Sequence, residues 1–438
     1  MTAIARESLN LQPEQPGPNS PKVRYHTAAG ECLALGQYYR PQKYAPHALL
    51  NYAHCVSLKS LDPSHEAAAM VSMAVRLAYQ MGYHRDPDVF GTFSPFEGEM
   101  RRRFWAACKQ VDMMTAFQLG LPSNIRLENC DTKSPRNLLD SDFGAHAVEL
   151  PPSRSEDEST GVLWFIVKDR LTSSFHKVCQ DALSLNVKST EHVRRLDQEI
   201  REAHESVPVL LRVRPILESY SDTRFMIMAR YYLELLHLKS LAILHRKRMM
   251  SGDLWSTSRC IEAGLSIVRM VVEAYKEFAP GGHLHQVRWM FNCYYMSDFL
   301  LGVMVLCLYN HLYKVHGHRE GLPDVEERCE VSLLLEQALG ICVEKSPLSR
   351  DARKVSLAIR IALRSKQKVM PDGTDFDPTL VKNGLPPASG DSSFAFQSMP
   401  DWFDASSLAN APFDSDMSFE ALDPFNFLGT DPLDFNVG

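Results

Sequence analysis

Residues 94–120, SPFEGEMRRRFWAACKQVDMMTAFQLG, decide how the rest of the chain is read. Ser94 is an N-cap residue, Pro95 suits the first helical position, and Glu97 completes a capping box. Met100, Phe104, Ala107, Cys108, Val111 and Met114 then recur at helical spacing as an inner stripe, and Gly120 ends the helix. On this register Arg101, Arg102 and Arg103 fall on the flank and outer face. Glu97 with Arg101 and Glu99 with Arg103 form i,i+4 pairs in the favoured acid-first order. A triple arginine can contact phosphate, but this pairing predicts salt bridging or partner contact instead.

Helical periodicity continues on both sides. Upstream, 65–81 places Ala67, Met70, Val71, Ala74, Ala78 and Met81 on one face, with Asp62 and Pro63 suited to its start and Gly82 to its stop. Downstream come an irregular stretch and a polar loop, ELPPSRSEDESTG at 149–161, that reads as mobile. Further helices are predicted over 162–186, 189–206, 222–249, 257–278, 287–313, 325–344 and 349–368. No alternating strand pattern and no internal repeat interrupts them. The expected fold is all-α, a multi-helix array over residues 24–370, with a disordered N-terminus at 1–23 and a disordered tail at 371–438.

Charge divides at the same place. The 438 residues carry a net charge of -6, but residues 371–438 alone hold eleven Asp, Glu420 and only Lys382, which leaves a mildly basic body. The ten cysteines are scattered with no Cys-x-x-Cys pair and read as buried thiols of a reducing compartment, not as disulfides or zinc ligands. The apolar run 225–244 is interrupted by Arg230, Glu234 and Lys239, and 299–308 is short for a span of about 20 residues. With no apolar run near Met1, a soluble, intracellular protein without membrane contact is expected.

Signatures of many enzymes are missing. There is no Gly-x-Gly-x-x-Gly, no Gly-Lys-Ser/Thr, no Gly-x-Ser-x-Gly and no His-Glu-x-x-His. Two His-x-His pairs, His283/His285 and His316/His318, lack nearby acidic or cysteine partners and are read as exposed loop histidines. The run His245-Arg246-Lys247-Arg248 closes a long helix, where the macrodipole favours cations. No catalytic residue, cofactor site or metal site is assigned, and the chain is read as non-enzymatic.

The tail carries ten aromatic residues among its aspartates and prolines, without helical or strand period. Like charges keep such a segment expanded and hold its rings in water for a partner's groove. This is the composition of an acidic activation segment, with Trp402, Phe403, Phe425, Phe427 and Phe435 as expected anchors for coactivators.

Three runs in order, MAVRLAYQMGYHRDP, FSPFEGEMRRRFWAACKQVD and QLGLPSNIRLENCDTKSPRNLLDSDF, resemble the middle homology region of fungal zinc-cluster transcription factors. The matching positions are Gly82, His84, Arg85 and Asp86; Glu99, Arg101, Arg102, Arg103, Phe104 and Trp105; and Gly120, Pro122, Cys130, Asp131, Pro135, Asn137 and Asp140. The resemblance implies structural roles for them, a packed corner of helix and preceding turn. It also implies a nuclear regulator of RNA polymerase II transcription of metabolic genes, with an N-terminal six-cysteine cluster holding two zinc ions and reading DNA. This sequence contains no such cluster. Zinc is therefore expected only if that domain is restored, and DNA contact only through a missing domain or a partner protein. A homodimer is a further expectation. A DNA-independent co-regulator or helical adaptor is the alternative, ahead of an all-α enzyme.

Overall fold

The structure, a computed structural model, describes residues 21–186, 188–316 and 325–364. Those residues form helices and turns, with no strand among them. The helices are α1 (Pro21–Leu35), α2 (Ala45–Ser57), α3 (His65–Gln80), α4 (Pro87–Phe90), α5 (Pro95–Gln118), α6 (Leu163–Ala182), α7 (Thr190–Glu205), α8 (Arg224–Met250), α9 (Leu254–Glu277), α10 (Cys293–His316), α11 (Val325–Lys345) and α12 (Arg350–Arg364). The all-α expectation holds. Helix α1 begins inside the segment expected to be disordered, at Pro21. The expected tail, with Trp402, Phe403, Phe425, Phe427 and Phe435, lies outside the described residues, as does His318.

Local capping sets the boundaries. Ser94 Oγ accepts the Glu97 N–H at 3.2 Å and Glu97 Oε2 accepts the Ser94 N–H at 3.3 Å, the capping box read from sequence. At the other end Gly120 adopts φ +66°, and the Leu121 N–H reaches back to the Ala116 carbonyl at 2.9 Å. That six-to-one closure needs a left-handed residue, which glycine adopts without a Cβ clash.

Two boundaries differ from expectation. Helix α3 is capped by Ser64, not by Asp62. The Asp62 carboxylate instead accepts from Ser349 Oγ (2.5 Å) and the Arg350 N–H (2.7 Å), capping α12 from across the chain. The helix expected over 287–313 is broken: His285–Met290 is a 3₁₀ turn, and α10 starts at Cys293. Asn292 Oδ1 takes the Tyr294 N–H at 3.0 Å, a side-chain bond that competes with helix continuation.

Helices α8, α9 and α10 pack on one another; α6 joins α8 to α5, and α11 with α12 closes over α9 and α10. Helix α10 contains the one stretch among the described residues that is long and apolar enough to cross a membrane, Cys293–Leu312, but 89% of it is buried inside the fold. Its all-round apolarity is what a central core helix requires. At the crossing of α9 and α10, Gly264 and Gly302 face Val305 and Ile267. A Cβ on Gly302 would stand 2.7 Å from Ile267 Cγ2. Gly302→Val is therefore expected to destabilise the fold by about 1–3 kcal/mol through overpacking, read as a lower midpoint in chemical denaturation.

Candidate functional site

Sequence matching to the three motifs marks one region, and its geometry is built on α5. This helix is buried on nearly every side, including Glu99, Arg102, Arg103 and Trp105. The expected outward placement of Arg102 and Arg103 is thus corrected: only 6% and 2% of their surfaces are exposed. They face inward because a second layer of chain covers what periodicity assigned to solvent.

That layer is the segment 121–140, which leaves the end of α5 and runs back along it as a strap. Near the C-terminal end, the buried Asp112 carboxylate accepts from Ser123 Oγ (2.6 Å), Asn124 Nδ2 (2.7 Å) and the Ile125 N–H (3.1 Å). One step back, Tyr79 Oη takes the Arg126 N–H at 3.2 Å, and the Tyr79 ring packs edge-on to Trp105 with centroids 5.2 Å apart. His84 completes this stack, 4.9 Å from the Tyr79 ring.

Further along, the strap zips onto the turn between α3 and α4. Thr132 Oγ1 donates to the Tyr83 carbonyl (2.7 Å) and the Asp131 N–H to the His84 carbonyl (3.1 Å). Asp131 accepts in return from Arg85 Nε (2.8 Å) and from the Asp86 N–H (2.7 Å). Asp86, 3% exposed, is the hub. Arg102 grips it with both Nε (3.0 Å) and Nη2 (2.7 Å), and it also accepts the Lys133 N–H (2.9 Å) and the Asp88 N–H (3.1 Å). Burial alone would raise the Asp86 carboxyl, but the Arg102 guanidinium and the two N–H groups reverse that and hold it well below the carboxylate range.

At the N-terminal end of α5 the strap meets two more charges. Glu99, fully buried, accepts from Arg103 Nε (3.2 Å) and from the Arg136 N–H (3.1 Å). Burial pushes its carboxyl up against the pull of these donors. Arg103 continues to Asp140 Oδ1 (2.8 Å). Asn137 then ties the strap to the polar loop: its Nδ2 donates to the Ser155 carbonyl (2.8 Å) and its Oδ1 accepts from Thr160 Oγ1 (2.5 Å). The loop expected to be mobile is held by these bonds.

Arg101 turns away from its expected partner. It donates to the Met81 carbonyl at 2.6 Å and lies between the Tyr83 and Phe93 rings, 4.0 and 4.3 Å from their centroids. Glu97 pairs with Lys43 instead, at 3.5 Å. Gly82, at φ +73°, lets the turn pass beneath Phe90 and Arg101.

So the motif positions His84, Arg85, Asp86, Glu99, Arg101, Arg102, Arg103, Trp105, Asp131, Asn137 and Asp140 come together where α5, the turn after α3 and the strap meet, and Pro135 of the same strap is buried. Gly120 and Pro122 do not share it, since they lie beyond Gln118, the last residue of α5. Asp112 was missed; the available signal is a lone aspartate inside an apolar helical run. The other polar features are also structural. His245, fully buried, lies between Asp197 Oδ1 (3.0 Å) and Ser256 (3.1 Å), so the basic run does not present it to solvent. His285 contacts the Phe278 carbonyl and Arg288, and no metal-binding group occurs among the described residues. Cys108, Cys179, Cys260, Cys293, Cys307 and Cys342 are buried and form no disulfide.

The strap and the helix it covers fall within a region of known kind: residues 41–206 match the family model of the fungal specific transcription factor domain. The chain belongs to this family. It is 32% identical to the Zn(2)-C6 fungal-type transcription factor pigI of Monascus ruber, over 97% of this chain and 54% of that protein. It is 32% identical to the Zn(2)-C6 fungal-type transcription factor mpsB of Macrophomina phaseolina, over 83% of this chain and 50% of that one. The pyrrolocin cluster transcription factor fsdR of a fungal species is 34% identical over 77% of this chain and 45% of its own length. The chain thus spans about half the length of these curated relatives. No solved structure matches it.

In this fungal transcription factor domain, breaking a buried ion pair by removing one partner is costly because the other charge stays buried. Asp86→Ala is expected to cost about 3–5 kcal/mol at neutral pH. Since folding lowers the Asp86 carboxyl, its contribution is complete above its unfolded value, about pH 4, and fades as pH falls further. Denaturation of wild type and variant across the acid range should show the gap narrowing below that pH.

Proposed function

We propose that this chain is the helical regulatory region and acidic activation segment of a fungal transcription regulator, acting in the nucleus on RNA polymerase II transcription of metabolic genes. The observation that carries this reading is the shared ancestry with proteins named as transcription factors, one of them by a biosynthetic cluster, over most of the chain. The network around Asp86 and Arg102 supports a non-catalytic role for the motif residues. Each motif carboxylate in it is engaged by arginine, backbone or hydroxyl donors, as scaffolding requires. We assign these residues the role of locking the strap to α5.

The activation function is assigned to residues 371–438, with Trp402, Phe403, Phe425, Phe427 and Phe435 as anchors for a coactivator groove. The assignment rests on composition, aromatic rings interleaved with aspartates and prolines, the make-up of segments that a partner's hydrophobic groove takes up. DNA contact is assigned to a six-cysteine, two-zinc domain outside the sequence given or to a partner protein, and a homodimer is part of the same proposal. The chain itself is assigned no zinc, no cofactor and no membrane contact.

Fusing residues 371–438 to an unrelated DNA-binding domain is expected to activate a reporter. Replacing Phe425 and Phe427 by alanine should remove most of that output, since aromatic anchors carry the larger part of such contacts. A silent fusion would count against the reading and favour a helical adaptor.

A further inference from the structure

The polar loop that Asn137 holds contains the run Ser155-Glu156-Asp157-Glu158, a serine with acids at the next three positions. No other serine or threonine of the 438 residues has that setting. Ser155 is exposed, as are Asp157 and Glu158, so the hydroxyl and these acids are presented to solvent together. Within the loop the Ser155 hydroxyl donates to Asp157 Oδ2 at 3.1 Å and accepts the Asp157 N–H at 3.2 Å. The Glu158 N–H closes the turn on the Ser155 carbonyl at 3.1 Å.

The same turn is where the strap is fastened. The Arg154 N–H donates to the Asn137 carbonyl (2.9 Å), the Asn137 N–H to Ser153 Oγ (3.0 Å), and Asn137 Nδ2 to the Ser155 carbonyl (2.8 Å). Asn137 is 2% exposed, so its amide depends on the closed loop for these partners. Charge at the loop is already matched. Arg154 holds Asp142 with Nε and Nη2, both at 2.8 Å, and Glu158 with Nη1 at 2.8 Å, while Arg170 holds Glu156 at 2.6 Å. A further double negative charge on Ser155 would stand beside Asp157 and could win Arg154 only from Asp142 or Glu158. Repulsion and exchange of partners both unfasten the loop.

We propose that Ser155 is a phosphorylation site for a protein kinase that selects acidic residues after its target serine, and that the phosphate releases the loop from Asn137 of the strap. In the transfer, Ser155 Oγ attacks the γ-phosphorus of ATP. The new Oγ–P bond forms as the bond to the ADP oxygen breaks, and the hydroxyl proton passes to the kinase's catalytic base. The kinase takes the loop in its locally opened form, since a serine bound into its own turn does not fit another protein's cleft. The product carries a charge of about -1.5 to -2 at pH 7 next to Asp157, which disfavours reclosing. A brief opening thus becomes a lasting one. The site stands on the loop itself, and the release rests on the reading of the strap as a lock on α5.

The test treats the full 438-residue chain with purified casein kinase II, an acid-directed enzyme, and ATP with Mg²⁺. Peptide mass spectrometry then maps the phosphate, and hydrogen exchange is followed on the intact product. Phosphate should accumulate on Ser155 to a stoichiometric level. The amides of Asn137, Arg154 and Glu158 should then exchange about tenfold or more faster, while α8 and α9 keep their protection. Ser155→Ala, which loses only contacts to Asp157, should take no phosphate in the 151–161 peptide and should keep slow exchange at Asn137 after the same treatment. Absence of phosphate on Ser155 of the wild-type chain overturns the proposal. So does phosphorylation with unchanged exchange at Asn137, or with equal loss of protection in α8 and α9. Undiminished phosphate in the 151–161 peptide of Ser155→Ala overturns it as well. No readout here uses a reporter gene, so failure is distinct from failure of the transcription reading.

Discussion

The two-point grip of Arg102 on Asp86 is the contact on which the N-terminal half of the fold depends. Neither charge could remain buried alone, since desolvation of an unpaired ion costs several kcal/mol. Together they fix three pieces of chain: α5, which carries Arg102; the turn after α3, which carries Asp86; and the strap, whose Lys133 N–H adds a further donor to the same carboxylate. Asp131 repeats the pattern in the other direction, accepting from Arg85 and from the Asp86 backbone. The strap has no helix of useful length, so its backbone groups depend on such side-chain acceptors for their hydrogen bonds.

This arrangement explains why the motifs occur in order along the chain. The helix runs from Pro95 to Gln118, and the strap returns over residues 121–140, so residues early in α5 meet residues late in the strap. Glu99 meets Arg136, Arg102 meets Lys133 through Asp86, and Asp112 meets Ser123 and Asn124. A long helix wrapped on nearly all sides then presents its other faces to α2, α3, α6 and α10, joining the N-terminal half to the α8–α10 core.

What could be read in advance was local. The capping box of α5, its stop at Gly120 and the helical character of the body depend on residues a few positions apart, and they stood as expected. Periodicity failed where burial comes from distant chain. It assumes one apolar and one wet face, and so placed Arg102 and Arg103 outside, although the strap covers them. It gave Asp62 to the nearest helix, whereas the carboxylate caps one almost 290 positions later, Ser349 and Arg350 being its partners.

The central claim, that Asp86 and Arg102 hold the strap on α5, is tested most directly by native-state hydrogen exchange. In the wild-type chain the amides of Asp131, Lys133 and Arg136 should be as protected as those of α5. In Asp86→Asn, which keeps the shape but removes the charge, these three amides should exchange far faster while α8 and α9 keep their protection, the signature of local opening. Unchanged protection of the strap in that variant, or equal loss throughout the fold, would contradict the account.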